Sequence, residues 1–354
     1  MVRTSPRKSQ LALACYYDNI SFHLENMKIA IFRKTFFFLA ISAFLLAFAY
    51  LRINTYKKEV MVISTLDGKI TYDNDPEGYY KKTLLRSFDP RPKWSGFETY
   101  GTANEPIISG QSAILVDINS GKVLYEKNSQ EKMKIASLTK IMTAVVALEH
   151  KNLADKIYVT RNAAYVGENT MYLTRGEVYT LRELMYGLVL NSANDAAYAI
   201  AEGTAGDVDT FVKWMDLKAQ ELGLTNTRFF DPSGLDDATY STTEDLVKLA
   251  TYAMKNPDFK EIVKTFEIEF TSDTHKYVYL QNQTNLLRSY PGVEGIKTGF
   301  TEEAGLCLVT YANNKGKELI GAVLNSIDRK GDMILMLDHG FSTLGINVVH
   351  HLLD

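Results

Sequence analysis

The spacing of apolar and polar positions divides the chain into three stretches. Residues 35–51 read TFFFLAISAFLLAFAYL without a charge, and residues 52–105 are polar and aromatic with no sustained period. Periodic patterns begin after that. Residues 112–117 (SAILVD) and 122–126 (KVLYE) are β-rich runs around Ile118-Asn119-Ser120-Gly121, a hairpin signal. Residues 306–312 and 318–324 flank Asn313-Asn314-Lys315-Gly316 and repeat that signal near the other end. Between the two hairpins, helical spacing predicts helices over 138–149, 181–190, 207–222 and 243–254, with a final one over 330–344. The first of these is apolar almost all round, so it is expected to be buried. Strands that open and close a domain pair into one antiparallel sheet, and the final helix covers one of its faces. The fold class is therefore α+β, with helices on the sheet faces and a helical subdomain between the hairpins.

Composition narrows the function classes. With 46% hydrophobic and 11% aromatic residues in 354, the chain can bury a large core. A net charge of -3 from 39 basic and 42 acidic side chains carries no nucleic-acid footprint. The two cysteines, Cys15 and Cys307, are expected on opposite sides of a membrane and form no structural disulfide. None of the six histidines has metal-ligand spacing to another donor, so neither metal nor cofactor is expected. The adjacent His350 and His351 read as a solvated chain end.

Residues 35–51 are an export signal or an anchor. Seventeen residues is short for a spanning helix and long for the apolar part of a signal peptide. Ala47-Phe48-Ala49 before Tyr50 offers a cleavage pattern, whereas bulky Phe and Leu running up to it favour retention, and the reading leans to a retained anchor. Six Lys or Arg in residues 1–34, against Asp18 and Glu25, orient the N-terminus to the cytoplasm. Met27 opens MKIAIFRK, the form of a natural export start, which makes residues 1–26 a candidate mis-assigned extension; Cys15 after LALA is discounted as a lipid-attachment site. The expected division is 1–34 cytoplasmic segment, 35–51 signal or anchor, 52–105 linker and 106–354 folded domain, outside the cytoplasmic membrane, anchored or secreted.

Three short motifs carry candidate chemistry. In KIASLTKIMT, Ser137 and Lys140 stand three apart at the start of the buried helix, so they project from one face. A serine hydroxyl is a weak nucleophile until a base takes its proton, and a lysine is such a base only with a lowered pKa. Spacing alone is weak evidence, because Ser5 and Lys8 show it too in a basic tail. Ser192-Ala193-Asn194 ends an apolar helix, and Lys297-Thr298-Gly299 leads into the second hairpin; alone, each is an ordinary helix end or strand edge. Together and in this order, 55 and 105 residues apart, they form the S-x-x-K, S-x-N and K-T-G set of penicillin-binding proteins and serine β-lactamases.

On these motifs, and on NTMYLTRGEVYTLRELMYGLVLNSANDAA, FVKWMDLKAQELGLTNTRFFDPSGLDD, YSTTEDLVKLA and GIKTGFTEEAG, the chain resembles the low-molecular-mass penicillin-binding proteins, the D-alanyl-D-alanine carboxypeptidases of peptidase family S11. The resemblance runs over about residues 105–344. It implies the penicillin-binding-protein and serine β-lactamase fold. The implied reaction removes the terminal D-alanine from peptidoglycan stem peptides ending in D-Ala-D-Ala, with β-lactams as covalent inhibitors. Ser137 would be the nucleophile and Lys140 its base, with Lys297 helping to keep Lys140 neutral by like-charge repulsion. Ser192 would pass the proton to the leaving amine, and Asn194 would hold Lys140 and the substrate amide. Lys297 and Thr298 would grip the substrate carboxylate, Gly299 would leave room for substrate at the strand edge, and the N–H groups of Ser137 and Phe300 would form the oxyanion hole.

The chain departs from the family at three places. Ala193 stands where many relatives have Gly or Asp, Tyr240 where a histidine is frequent, and Phe300 where some carry histidine. It also ends at Asp354 without the β-rich C-terminal domain of many relatives, so membrane attachment is expected through residues 35–51 if they are retained. Three other readings remain. A class A β-lactamase needs an E-x-x-L-N glutamate, and the nearest match, Glu221 with Asn226, has its asparagine one place late. A D,D-endopeptidase would use the same residues, and a silent peptidoglycan-binding protein would keep only the fold.

Overall fold

The computed structural model describes residues 105–352 and, before them, the backbone of one two-stranded antiparallel hairpin, Ile63–Leu66 with Lys69–Tyr72. That hairpin lies within the stretch expected to be linker. Its turn signal, Asp67-Gly68, was present in the sequence. Residues 1–34 and the apolar run 35–51 fall outside the described residues. Among those described, no helix is long and apolar enough to cross a membrane.

Five strands form the main sheet: β1 (Ser112–Asp117), β2 (Lys122–Lys127), β3 (Val293–Thr301), β4 (Gly305–Asn314) and β5 (Lys317–Ser326). All pairs are antiparallel, in the order β3-β4-β5-β1-β2. The two sequence hairpins thus join where β5 meets β1, with Leu319 opposite Asp117 and Leu324 opposite Ser112. Every residue of β1 is buried. Since alternate strand residues point to opposite faces, both faces of the sheet must be covered.

Among the described residues, seven helices of eight or more residues supply the cover and the subdomain: α1 (Lys140–His150), α2 (Leu181–Leu190), α3 (Asn194–Ala205), α4 (Val208–Glu221), α5 (Thr243–Ala253), α6 (Pro257–Lys264) and α7 (Arg329–Thr343). Met333, Leu337 and Phe341 of α7 pack with Ala113, Leu115, Leu319 and Val323 in one buried cluster, and α5 packs on β1 and β5. Each such side chain contributes on the order of 1.5–3 kcal/mol. Asp332 ties α7 to the domain entrance by accepting hydrogen bonds from Ser109 N, Gly110 N and Ser326 Oγ. Short polar residues start the helices: Thr180 forms a capping box with Glu183, and Asp207, Thr242, Asn256 and Asp328 accept amides of the first turn.

All residues of α1 are buried, as its all-round apolar pattern predicts, with α2, α3, α4 and α5 around it. Its polar C-terminal end is paired within the domain. Glu149 accepts from the Tyr252 hydroxyl at 2.5 Å and pairs with Lys218 at 2.8 Å, and Lys218 also pairs with Glu221 at 2.7 Å. The His150 ring stacks on Trp214 with centroids 4.3 Å apart.

Several elements were not anticipated, among them the short strand pair Lys156–Tyr158 with Val178–Thr180 and the one-turn helix Arg161–Ala164. Helix α3, NDAAYAIAEGTA, is built largely of small residues and offers little apolar-polar contrast to read. Helix α6 is short and starts at a proline, and the hairpin Glu267–Ser272 with His275–Gln281 had an alternation that went unused. The expectation for His350 is corrected: its Nε2 lies 2.8 Å from Asp338 Oδ1 and its ring leans on Tyr290, so it is packed, whereas His351 is exposed.

Candidate active site

Ser137 lies on a 3-10 turn, Ala136–Thr139, that runs directly into α1. The turn is tight: Ala136 has φ +49°, and Thr139 Oγ1 donates back to the Ala136 carbonyl at 2.8 Å. Two glycines allow the neighbouring chain to come close. A Cβ on Gly234, at φ +82°, would lie 1.9 Å from the Ala136 carbonyl oxygen. A Cβ on Gly299 of β3 would lie 3.0 Å from the Ile135 oxygen and 3.2 Å from the Ser137 amide nitrogen. The missing side chain of Gly299 lets β3 lie against the serine turn.

Lys140 sits one turn further on and is fully buried, 1% exposed. Its Nζ contacts three oxygens: Ser137 Oγ at 2.8 Å, Asn194 Oδ1 at 2.7 Å and the Ser233 carbonyl at 2.7 Å. Burial lowers its pKa to about 7, against the opposing pull of Asp231, Glu168 and Asp195. In the neutral amine, Asn194 and Ser233 can take both hydrogens. The lone pair then faces the hydroxyl of half-buried Ser137.

Two carboxylates that the sequence reading did not single out hold this arrangement. Asp231 Oδ1 accepts from Ser233 N and Ser233 Oγ at 2.5 Å and from Gly234 N at 2.7 Å, and its Oδ2 accepts from Asp236 N at 2.7 Å. This closes the DPSGLD loop so that the Ser233 carbonyl reaches Lys140. Asp195 accepts from Met171 N at 3.0 Å and Leu173 N at 2.9 Å, which fixes Tyr172 between them at φ +60°. An Asp or Asn in a turn next to Pro or Gly is the signal that would have found the first. Gly234→Ala is expected to lose on the order of 2–4 kcal/mol, from a left-handed alanine and a forced backbone shift. A thermal melt and the penicillin acylation rate check this, and a variant that matched wild type in both would contradict the described packing.

The peptidase family S11 model, D-alanyl-D-alanine carboxypeptidase, matches residues 99–328. The chain belongs to peptidase family S11. It is 36% identical over 270 residues to D-alanyl-D-alanine carboxypeptidase DacF of Bacillus subtilis, covering 73% of this chain and 68% of that one. It is 36% identical over 259 residues to a D-alanyl-D-alanine carboxypeptidase of a Streptomyces strain, covering 67% and 89%. Among solved structures, that of a Streptomyces DD-transpeptidase aligns with TM-score 0.64 at 35% identity, over 68% of this chain and all of the other. The S11 fold expectation, α+β with an antiparallel sheet and packed helices, therefore holds.

In this S11 domain the structure brings Ser137, Lys140 and Asn194 into one hydrogen-bonded group. Ser192 is buried on the turn between α2 and α3 at φ +56°, and among the described residues it bonds to neither Ser137 nor Lys140. Lys297 is buried on β3 and its Nζ donates to the Thr298 carbonyl at 2.9 Å. Burial, and then the charges of Lys140 and Arg329, push its pKa well below the usual value. Burial is the leading cause of Lys140's lowered pKa, and the charge repulsion between Lys140 and Lys297 acts in the same direction. Thr298 is buried beside Lys297, and Phe300 is 59% exposed at the outer strand of the sheet. Arg329, also unanticipated, donates to the Gly299 carbonyl at 2.8 Å and steadies this edge. Glu221 is bound to Lys218 and so is not set up as a water-activating carboxylate of the β-lactamase kind. Tyr240 pairs with Lys134 and lies under the Lys132 ammonium, 5.3 Å from the ring centroid.

Proposed function

We propose that this S11 carboxypeptidase acts through an acyl-enzyme on Ser137, taking the terminal D-alanine from a peptidoglycan stem peptide ending in D-Ala-D-Ala. The observation that carries the reading is the trio of oxygens around the Lys140 amine, which leaves one lone pair and aims it at one hydroxyl. Ser137 Oγ–H gives its proton to Lys140 Nζ while Oγ bonds to the carbonyl carbon of the penultimate D-Ala. The N–H groups of Ser137 and Phe300 hold the oxyanion. The C–N bond then breaks, and the proton returns through Ser192 to the nitrogen of the departing D-alanine. Water repeats the sequence in reverse roles and frees the shortened peptide. Lys297 and Thr298 bind the terminal carboxylate, and Asn194 holds both Lys140 and the substrate amide. A β-lactam ring opened by Ser137 gives the same kind of ester, without a leaving group to make way for water.

The enzyme works in the cell envelope, and residues 35–51 deliver the domain across the cytoplasmic membrane, as anchor or removed signal. The mass of the mature N-terminus separates these, because cleavage makes Tyr50 the first residue.

The test is incubation of the purified chain with a pentapeptide ending in D-Ala-D-Ala and, separately, with labelled penicillin. Free D-alanine and a stable adduct on the proteolytic fragment containing Ser137 are expected. Peptide binding without D-alanine release would favour a silent receptor, and rapid penicillin turnover a β-lactamase. A relative from Escherichia coli is a D-alanyl-D-alanine endopeptidase, 33% identical over 226 residues, so cross-linked dimers belong in the same assay. Faster cleavage of the dimers than of the pentapeptide would move the assignment to endopeptidase.

A further inference from the structure

The side-chain amide of Asn194 serves Lys140 in one orientation only. Its Oδ1 accepts from Lys140 Nζ at 2.7 Å, while its Nδ2 donates to the Gly167 carbonyl at 3.3 Å. Turned over, Nδ2 would donate to the neutral Lys140 amine and occupy the lone pair aimed at Ser137, and Oδ1 would face the Gly167 oxygen. The course of the chain at residue 167 therefore decides which end of the amide meets the lysine.

Residues 167–173 are laced to the start of α3 by further hydrogen bonds. Asn194 N donates to the Asn169 carbonyl and Asn191 Nδ2 to the Thr170 carbonyl, each at 2.7 Å. In the other direction, Met171 N at 3.0 Å and Leu173 N at 2.9 Å donate to Asp195, whose Oδ1 also takes Ala196 N at 2.8 Å. Asp195 is 1% exposed, so these backbone amides are what satisfies its buried carboxylate. The loop does not follow this course by local preference. Glu168 and Tyr172 stand at φ +56° and +60°, a conformation that a residue with a side chain keeps only where its surroundings impose it. A second restraint comes from outside. Lys276, exposed on the strand His275–Gln281, donates to the Tyr172 carbonyl and, at 3.0 Å, to Thr174 Oγ1. The peptide unit between Tyr172 and Leu173 is thus gripped at its carbonyl by Lys276 and at its N–H by Asp195.

We propose that Asp195 and Lys276 are positioning residues for the acylation step: holding the Tyr172–Leu173 peptide between them, they keep residues 167–173 on the course that turns the Asn194 amide oxygen toward Lys140. This rests on the reading of Ser137 as nucleophile and Lys140 as its base. Neither residue touches the reacting atoms, and both act through Asn194.

The test measures the rate of acylation by labelled penicillin in the full chain, for each variant in two backgrounds, wild type and Asn194→Ala. Asp195→Asn keeps the shape of the side chain but sets a donor against one of the amides it now accepts, and should slow acylation about 10- to 100-fold, the scale of a small misplacement at a reacting centre. Lys276→Met should slow it about fivefold, as expected for a partly exposed charged contact. In the Asn194→Ala background both effects should shrink below about twofold, because the group they orient is gone. A role in stability alone would cost the same in both backgrounds. Equal losses there, or wild-type rates in both single variants, would overturn the assignment while Ser137 and Lys140 keep their roles. Should Asp195→Asn fail to fold, the exposed Lys276→Met carries the same comparison. A wild-type chain that forms no adduct would sink the acyl-enzyme reading together with this one.

Discussion

Ser137→Ala is expected to abolish the penicillin adduct and to lower D-alanine release by at least about 10⁴-fold, the scale on which removal of an acyl-enzyme nucleophile is felt. The loss should be chemical and not structural. Ser137 is half-buried and, among the described residues, its hydroxyl is bonded to Lys140 alone, while the turn around it is held by Thr139, Gly234 and Gly299. Alanine fits the same helix-start backbone without strain, so the variant should melt within a few degrees of wild type and still retain substrate noncovalently. Mass spectrometry of the penicillin-treated variant decides the matter: an adduct that persists on another residue would remove Ser137 from its proposed role.

Lys140→Met should fall almost as far, by about 10³ to 10⁴ in the acylation rate, since the proton acceptor is gone while the nucleophile remains. The pH dependence of the wild type gives a second check whose sign follows from the lowered pKa. Burial brings the amine to about 7, so below that value the ammonium form dominates and has no lone pair for the serine proton. Acylation should therefore drop about tenfold per unit as pH falls below that point and level off above it. Lys140→Arg keeps the charge but cannot deprotonate, and should be as slow as Lys140→Met. A wild-type acylation rate that stayed flat from pH 5 to 8 would exclude Lys140 as the base.

Much of this was legible before any coordinates, and the reason differs element by element. The hairpins around residues 118–121 and 313–316 and helices α1, α2, α4, α5 and α7 have strong local signals, namely turn residues, capping residues and a clean apolar period. Helix α3 did not, because alanine and glycine make up half of it and leave little apolar-polar contrast. For the site, the motifs named Lys140 and Asn194, and the structure joins them through one hydrogen bond. What the motifs could not carry was the third oxygen on the amine, a backbone carbonyl from a loop 93 residues away, nor Asp231, which sets that loop by its own hydrogen bonds. Main-chain groups leave no residue type to search for. The lowered lysine pKa was legible in kind, because the all-round apolar pattern of α1 places Lys140 in a buried helix.

The contact between Gly299 and the amide of Ser137 also sets a tolerance for alignment. The strand edge proposed to receive the substrate and the turn that carries the attacking oxygen meet without an intervening side chain, 3.2 Å from a would-be Cβ to the amide nitrogen. Nothing compressible separates them, so a displacement of one is passed to the other almost undiminished. The spacing between the strand edge and the backbone of Ser137 is then set by main chain against main chain.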